Sequence, residues 1–291
     1  MNMDPRTANF AKEKAETLET SGMVLGTKKA KALIDTFHSY GHRDIDSARV
    51  YGKGEAEQVL GEIDLKDFCV STKIYAAVSG KHDALNLERS LRETLKARRT
   101  TKVDILYLHA PDRSTPFEET VKAVDGLYRQ GLFERYNPIA RSVEHELLPC
   151  LKRYNIAFNA YNVIAGGLLT GVYQSVDEVI EGSRYDPKTA FGNYFREKYW
   201  NKFNLEAVQT LNAAAAANKL TLIEATLRWM RHHAGLEAKD GIIIGVNEVA
   251  QLEQNLQDLE KGPLPQAMVD AFDAAWRQAM PGSKHYVDCT T

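Results

Sequence analysis

The chain has 291 residues, a length that suits one large α/β domain. Hydrophobic residues make up 44% of it and the formal net charge is −2, so the balance of charge favours neither nucleic acid nor an anionic membrane as a partner. Cys69, Cys150 and Cys289 lie far apart and in no metal-binding spacing, which predicts reduced thiols, no metal site and a cytoplasmic protein. We find no apolar segment of the length that a signal peptide or a membrane span needs.

Short apolar runs alternate with helical patterns along the chain, which is typical of βα units around a parallel sheet. The patterns predict strands at 22–26, 43–46, 68–73, 103–109, 156–161 and 241–245. They predict helices at 28–40, 54–61, 81–98, 116–130, 143–154, 203–217, 221–234, 248–259 and 265–279. Because no repeat or linker interrupts this order, we predict a single domain over 1–291, with peripheral tails at 1–21 and 280–291.

The number of predicted strands is lower than a closed barrel requires. A (β/α)8 barrel of the TIM type has eight strands, whereas the patterns above predict six. The shortfall lies between 109 and 156, where two more strands and their crossover do not fit, since a βα unit needs about 30 residues. We therefore predict an incomplete (β/α)8 barrel that lacks about two strands between residues 131 and 140.

Four polar side chains lie at or just beyond consecutive predicted strands: Asp46, Tyr51, Lys73 and His109. A phenol titrates near pH ~10, so it donates a proton at neutral pH only with help. An ammonium held by a carboxylate gives that help, because it favours the phenolate that remains. Each residue alone is an ordinary strand or turn terminus, but in a βα barrel these strand ends form the active-site face. Together the four indicate proton transfer to a carbonyl group.

Two further segments are candidate ligand loops. Residues 160–171 follow a predicted strand and supply three glycines for close backbone approach, although a tight turn explains them equally well. Residues 245–255 lead from a strand into a helix whose N-terminus could take a phosphate, although a capped surface helix is the simpler interpretation. The chain has neither a Gly-x-Gly-x-x-Gly dinucleotide motif nor a phosphate loop of the Gly-x-x-x-x-Gly-Lys type.

With these motifs the chain resembles the aldo-keto reductases, most closely the branch of the aflatoxin-aldehyde reductases. The resemblance covers most of residues 30–280 and is carried by GHRDIDSARVYG at 41–52, LHAPD at 108–112, AYNVIAGGLLTG at 160–171, RWM at 228–230 and the segment 245–255. It implies a (β/α)8 barrel that binds NADPH in an extended form across the C-terminal ends of the strands. Such a cofactor site explains the missing dinucleotide motif.

The resemblance also implies a role for each candidate residue. Tyr51 is the proton donor, Lys73 lowers its pKa, Asp46 holds Lys73 and His109 orients the substrate carbonyl. Tyr161 stacks on the nicotinamide, the loop that follows it lines the pyrophosphate, and the 247–255 segment holds the 2′-phosphate end. The full set of implied cofactor contacts is Asp46, Tyr161, Asn162, Ala165, Gly166, Gly167, Leu168, Thr170, Gly171, Gly245, Asn247, Gln251 and Asn255. Substrate contacts are implied for His109 and, in a helix at 193–200, for Phe195 and for Lys198, which stands where the branch often has arginine.

The chain departs from the family pattern most strongly at one joint, besides a first strand and loop shortened around residues 22–30 and Val163 in place of the usual Pro. A Gly-x-Ser-Asn strand, a helix and a strand ending in Gln, whose side chains grip the nicotinamide carboxamide in the family, are absent between Phe133 and Arg135. Two explanations stay open: an error in the gene model, which we favour because the joint is abrupt, and a genuinely truncated paralogue. The transcript across this joint would separate them.

These observations predict a cytoplasmic NADPH-dependent reductase of aldehydes or ketones. Its partner would be a small carbonyl compound, in secondary metabolism or detoxification, and a homodimer is left open. The alternative is a catalytically impaired, truncated paralogue that acts as a non-enzymatic or regulatory subunit. The identity of the natural substrate is not encoded in any motif that we find.

Overall fold

The structure is a computed structural model that describes residues 15–19, 26–74, 83–108, 133–135, 137–145, 147–153, 157–173 and 175–283. Its contacts form two compact units. As far as they are described, the N-terminal unit comprises Ala15–Phe133 and Ile243–Glu253, and the C-terminal unit comprises Glu134–Ile242 and Gln254–Thr291. The prediction of a single domain with peripheral tails otherwise stays a prediction.

The N-terminal unit contains four neighbouring parallel strands in the order β4-β3-β2-β1. Their bounds are β1 Ala15–Glu19, β2 Asp44–Asp46, β3 Cys69–Ile74 and β4 Ile105–Leu108. Three helices alternate with them: α1 Thr27–Ser39, α2 Glu55–Leu60 and α3 Ala84–Ala97. This alternation confirms the predicted βα pattern.

Local sequence explains where these helices begin and end. In α1 the buried residues Ala30, Leu33, Ile34 and Phe37 follow the spacing of one helical face. Gly41 follows the helix with φ +86°, a conformation that suits glycine at the end of a helix. At the start of α3, the Asp83 carboxylate accepts a hydrogen bond from the backbone N–H of Asn86 (2.9 Å), as an N-cap does.

Strand β1 differs from the prediction, and this is a correction. We placed residues 15–19 in a peripheral tail and predicted the first strand at 22–26, of which only Gly26 is described, outside any strand. In the structure Leu18 is paired with Ile45 of β2, so residues 15–19 are part of the sheet. The segment Ala15–Glu19 has one large apolar side chain, so its strand character comes from backbone pairing with β2 and not from an apolar run.

The C-terminal unit contains a 3-10 turn, Ser142–Glu144, where we predicted the first part of a helix over 143–154. Strand β5, Phe133–Arg135, lies in this unit from Glu134 onwards, and β6 spans Asn159–Tyr161. Strand β7, Gly241–Gly245, begins in this unit and is parallel to β6. The helices of this unit are α4 Leu147–Arg153, α5 Ala190–Tyr199, α6 Lys202–Ala217, α7 Leu222–His232, α8 Val249–Glu260 (from Gln254 onwards) and α9 Gln266–Ala279. The apolar faces of α7 and α9 meet where the rings of Trp229 and Phe272 lie 5.8 Å apart.

Strand β5 falls within the interval in which we predicted about two missing strands. The described residues therefore contain seven strands, one more in this interval than the sequence patterns predicted. A strand of three residues is too short to show a periodic pattern, which is why it was missed. The predicted helix at 116–130 and the last residue of the predicted strand 103–109, His109, lie outside the described residues. None of the helices described is long and apolar enough to cross a membrane.

Candidate active site

Asp46 and Lys73 come from neighbouring parallel strands and meet as a buried ion pair. Asp46 is the last residue of β2 and Lys73 lies near the end of β3, so their side chains emerge at the same edge of the sheet. The Lys73 Nζ donates to Asp46 Oδ2 (2.5 Å) and to the carbonyl oxygen of Ser47 (3.0 Å). Ser71 donates from its Oγ to the other carboxylate oxygen of Asp46 (3.0 Å). Two charges with so little exposure are stable only when paired and hydrogen-bonded in this way.

Tyr51 completes this group. The Lys73 Nζ also donates to Tyr51 Oη at 3.1 Å and lies 4.8 Å from the centre of its ring. Tyr51 begins a 3-10 turn, Tyr51–Gly54, in which Gly52, Lys53 and Gly54 all have positive φ angles of 56°, 54° and 97°. The turn follows β2 after four residues and presents the phenol to the lysine. The structure thus brings together three of the four predicted catalytic residues, while His109 lies outside the described part of the chain.

A second buried cluster, which we call the Glu57 cluster, lies behind this group and was missed by sequence reasoning. It consists of Arg49, Glu57, Thr72 and Thr94. Glu57 is fully buried, and its carboxylate accepts hydrogen bonds from Thr72 Oγ1 (2.6 Å) and Thr94 Oγ1 (3.1 Å). Burial raises the pKa of Glu57, and the two threonine hydroxyls together with the positive charges of Arg49 and Arg98 oppose that rise. The available signal was the position of Glu57, three residues before Leu60 on the buried face of α2.

The glycine-rich segment forms a strained loop in the C-terminal unit. Tyr161 ends β6, and the left-handed residues after it include Asn162 (φ 61°) and Ala165 (φ 49°), which are not glycines. Asn162 stabilises the loop by accepting a hydrogen bond from the N–H of Gly166 (2.9 Å) on its side-chain oxygen. The buried Tyr185 hydroxyl donates to the carbonyl of Ala165. A loop of this shape is over-determined by its surroundings, which is common at ligand-binding sites.

The remaining predicted loop residues lie in the same loop. Leu168 is fully buried, and Thr170 Oγ1 donates to the carbonyl of Gly167 (2.7 Å). Gly166, Gly167 and Gly171 have φ angles of 64°, 98° and 77°. At Gly166 an added Cβ would lie 2.4 Å from the ring of Phe195, whereas at Gly167 it would meet nothing within 4 Å. The backbone at Gly167 is therefore open to close approach by a ligand.

Asn137 is a second residue that the sequence did not reveal. It is fully buried just after β5, and its Nδ2 donates to the carbonyl of Asn162 (3.0 Å) and to the hydroxyl of Tyr199 (3.3 Å). It thereby joins the glycine-rich loop to α5. The predicted substrate residues are both on α5: Phe195 is buried against Gly166, and the Lys198 ammonium lies 5.1 Å from the ring centre of Tyr194.

The segment 245–255 is a strand end followed by a helix, as predicted. Gly245 is the exposed last residue of β7, and Asn247 lies two residues before the start of α8. Glu248 forms an ion pair with Lys29 at this helix N-terminus. On α8, Gln251 is exposed and Asn255 is buried. Among the described residues, no group of three or more His, Cys, Asp or Glu side chains could hold a metal ion.

Comparison with known proteins identifies the family to which the chain belongs. The sequence profile of the "Aldo/keto reductase family" matches residues 17–136 and again residues 133–277. The chain belongs to the aldo/keto reductase family. As a member it is an oxidoreductase that acts on carbonyl groups, and the predicted resemblance, with its (β/α)8 barrel, is confirmed.

Relatives in the aflatoxin-aldehyde reductase branch are among the most similar proteins. Aldo-keto reductase family 7 member A3 of Homo sapiens is 34% identical, over 88% of this chain and 91% of its own length. Aflatoxin B1 aldehyde reductase member 2 of Mus musculus is 32% identical, over 97% of this chain and 90% of its own. Aldo-keto reductase MYCFIDRAFT_156381 of Pseudocercospora fijiensis is 34% identical, over 84% and 96%.

Solved structures agree on the fold. The glycerol dehydrogenase AKR11B4 from Gluconobacter oxydans superposes with a TM-score of 0.71 at 19% identity, covering 94% of each chain. An aldo-keto reductase from Klebsiella pneumoniae, solved in complex with NADPH, superposes with a TM-score of 0.64 at 17% identity and covers 91% of this chain and 96% of its own. At such identities the likeness is one of fold alone.

The comparisons also locate the internal joint. The two matches of the family profile meet at residues 133–136, the position at which we predicted the missing segment. The alignment with the human relative has 303 positions although this whole chain has 291 residues, so the relative carries residues that this chain lacks. Strand β5 lies at this joint.

Proposed function

We propose that this protein is an NADPH-dependent reductase of aldehydes or ketones in which Tyr51 donates the proton. The observation that carries the proposal is the contact of the Lys73 ammonium with both the Tyr51 hydroxyl (3.1 Å) and the Asp46 carboxylate (2.5 Å). A structural ion pair needs only two partners. The phenol in the same cluster, held at a strand end of a family barrel, is what a proton donor requires.

The residues present are compatible with the cofactor. The backbone at Gly167 is open, and the loop around it has the left-handed geometry that lets a backbone approach a phosphate closely. Tyr161 and this loop would hold the nicotinamide and pyrophosphate portions, and Asn247, Gln251 and Asn255 the adenosine end, as in the family. When bound, the reduced nicotinamide supplies a hydride to the carbonyl carbon.

The proton transfer itself uses the described residues. The O–H bond of Tyr51 breaks as its proton passes to the carbonyl oxygen, which becomes the hydroxyl of the alcohol. The phenolate that remains is stabilised by the Lys73 ammonium, because opposite charges in a water-poor site attract strongly. Asp46 and the carbonyl of Ser47 hold that ammonium in place. A further role for His109 in orienting the carbonyl follows from the family likeness and stays a prediction.

The proposal is tested by replacing Tyr51 with Phe. We expect turnover of a nitrobenzaldehyde with NADPH to fall about 10²- to 10⁴-fold, because a positioned acid contributes about this much, while NADPH binding is retained. Oxidation of NADPH is followed by its absorbance, and binding by fluorescence. Tyr40→Phe, which removes a hydroxyl just after α1, is the control and should react like the natural chain. A natural chain that neither binds NADPH nor loses activity on Tyr51→Phe would refute the proposal.

A second candidate function is that of a non-enzymatic or regulatory subunit. It is favoured by one observation, the two-part family match that meets at residues 133–136. The resemblance implies that residues that grip the nicotinamide in the family are missing at that joint. Detectable turnover of the aldehyde by the chain as it stands would exclude this candidate. A place in the cytoplasm, in secondary metabolism or in detoxification, would suit either function.

A further inference from the structure

The Glu57 cluster links the residues before and at the end of the 3-10 turn Tyr51–Gly54, which we call the Tyr51 turn. Arg49 precedes Tyr51 by two residues, and its Nη1 donates to the carbonyl of Gly54 (3.2 Å), the last residue of the turn. The same Nη1 lies 3.8 Å from Glu57 Oε2. The turn that carries the phenol is therefore closed by a guanidinium, which is itself paired with a buried carboxylate.

Glu57 also reaches the strand that carries Lys73. Its Oε1 accepts a short hydrogen bond from Thr72, the residue directly before Lys73 on β3 (2.6 Å). Successive side chains of a strand point to opposite faces, so Thr72 and Lys73 leave β3 on opposite sides. Lys73 reaches Tyr51 on one face while Thr72 reaches Glu57 on the other.

The turn is strained enough to need such support. Lys53 has φ 54°, an uncommon conformation for a residue other than glycine, and it lies between Gly52 and Gly54, which also have positive φ. Strained backbone persists only where its surroundings determine it. Among the described contacts, the Arg49 guanidinium binds the carbonyl of Gly54 at the end of this turn, and Glu57 pairs with that guanidinium.

We infer that Glu57 is a positioning residue that sets the distance between the Tyr51 hydroxyl and the Lys73 ammonium. It ties α2, and with it the end of the Tyr51 turn, to β3 through Thr72. This inference rests on the proposed function, because the distance between the Tyr51 hydroxyl and the Lys73 ammonium matters for proton donation. The charged groups around the cluster are Arg49 and Arg98 beside Glu57, Glu93 beside Arg49, and Asp46 beside Lys73.

Thr72 and Thr94 provide a matched pair for the test. Both are fully buried and both donate a hydroxyl hydrogen bond to Glu57, but Thr72 belongs to β3 and Thr94 to α3. Replacement of either by Val removes the same kind of bond, so both variants should lose similar stability in urea unfolding. Only Thr72→Val releases Glu57 from the strand of Lys73.

We expect Thr72→Val and Glu57→Gln to lower kcat about 10-fold or more with KM and NADPH affinity unchanged. In both, the alkaline limb of the pH–rate profile should move to higher pH, because the ammonium stabilises the phenolate less. Thr94→Val should keep the natural kcat and profile, and Thr72→Ser, which restores the hydroxyl, should restore both. If all four variants change stability alone, Glu57 is only a structural residue and the inference is wrong.

A readout without turnover keeps the inference separate from the proposed function. The Tyr51 phenolate is titrated by its ultraviolet absorbance, as the difference between each protein and its Tyr51→Phe counterpart. We expect its ionisation in Thr72→Val and Glu57→Gln to require higher pH than in the natural chain and in Thr94→Val. This shift would support the inference even in a chain that reduces no aldehyde, whereas identical titrations would overturn it even in an active enzyme.

Discussion

Lys73 shows how one residue combines stability with chemistry. Its side chain is 4% exposed, yet it satisfies its three donors with a carboxylate, a backbone carbonyl and a phenol. A lysine used only for packing or for an ion pair would not need the phenol. The position of the phenol is what turns a buried pair into a candidate acid.

The Asp46–Lys73 pair allows a test of that distinction. Lys73→Met should destabilise the protein by about 3–5 kcal/mol, because it leaves the Asp46 carboxylate buried without its counter-charge. The double variant Asp46→Leu with Lys73→Met should recover much of that loss, since neither charge remains. Urea unfolding measures both values. A double variant as unstable as Lys73→Met would contradict this account, and both variants should be inactive.

At the scale of elements, a short turn with left-handed residues follows a strand in each of the two units. One follows β2 and carries Tyr51, and the other follows β6 and contains the glycines of the 162–171 segment. In both, residues other than glycine accept positive φ because side chains behind the turn hold the backbone. In the N-terminal unit, the strands bring Asp46 and Lys73 together, and the turn adds Tyr51.

Gly166 and Gly167 allow the cost of a positive φ to be measured separately from the cost of a steric clash. Both have positive φ, so an alanine at either is strained by about 1 kcal/mol. At Gly166 the new Cβ would also meet Phe195 at 2.4 Å, and overpacking of this kind costs a further 1–3 kcal/mol, roughly. We therefore expect Gly166→Ala to lower the free energy of unfolding clearly more than Gly167→Ala. Equal losses in thermal or urea unfolding would show that Phe195 moves aside.

At the scale of the whole molecule, the Asp44 carboxyl at the beginning of β2 links stability to pH. Burial raises the pKa of Asp44 to about 6; a hydrogen bond from the Cys69 thiol opposes this rise and the negative charge of Asp104 adds to it. Burial likewise raises the pKa of the Cys69 thiol to about 12, so that thiol stays protonated. The folded protein thus holds a proton on Asp44 at a pH at which the unfolded chain, with a pKa near 3.8, has lost it.

Stability should therefore fall as the pH rises from about 4 to about 6 and change little above that, because the folded state binds more protons in this window. Over this window Asp44 should lower the free energy of unfolding by about 2 kcal/mol. Each pKa unit is worth about 1.4 kcal/mol, and we reduce the total because solvent screens the partly exposed side chain. Asp44→Asn should flatten this part of the profile in urea unfolding measured at several pH values. A profile that is the same in both proteins would rule out Asp44 as the cause.

Much of the fold could be predicted from sequence, and for a physical reason. The amphipathic helices α1, α6, α8 and α9 begin and end within one residue of their predicted bounds, because side-chain spacing along a helix is local information. Strands β1 and β5 could not be predicted in the same way. Each depends on the backbone of a partner strand distant in sequence, and neither has an apolar run of its own.

Some residues of the candidate site could likewise be predicted from sequence, and others could not. Asp46, Tyr51 and Lys73 were predictable because each stands beside a recognisable strand and because the chemistry of proton donation demands their types. By itself, then, the sequence determined the family and the order of βα units, and it predicted Tyr51 as the proposed proton donor. The tertiary structure alone decided that Glu57 is buried between Thr72 and Thr94, and that Asn137 holds the glycine-rich loop. A charge or an amide is stable in a core only through partners that folding brings from other elements, and no local pattern records those partners.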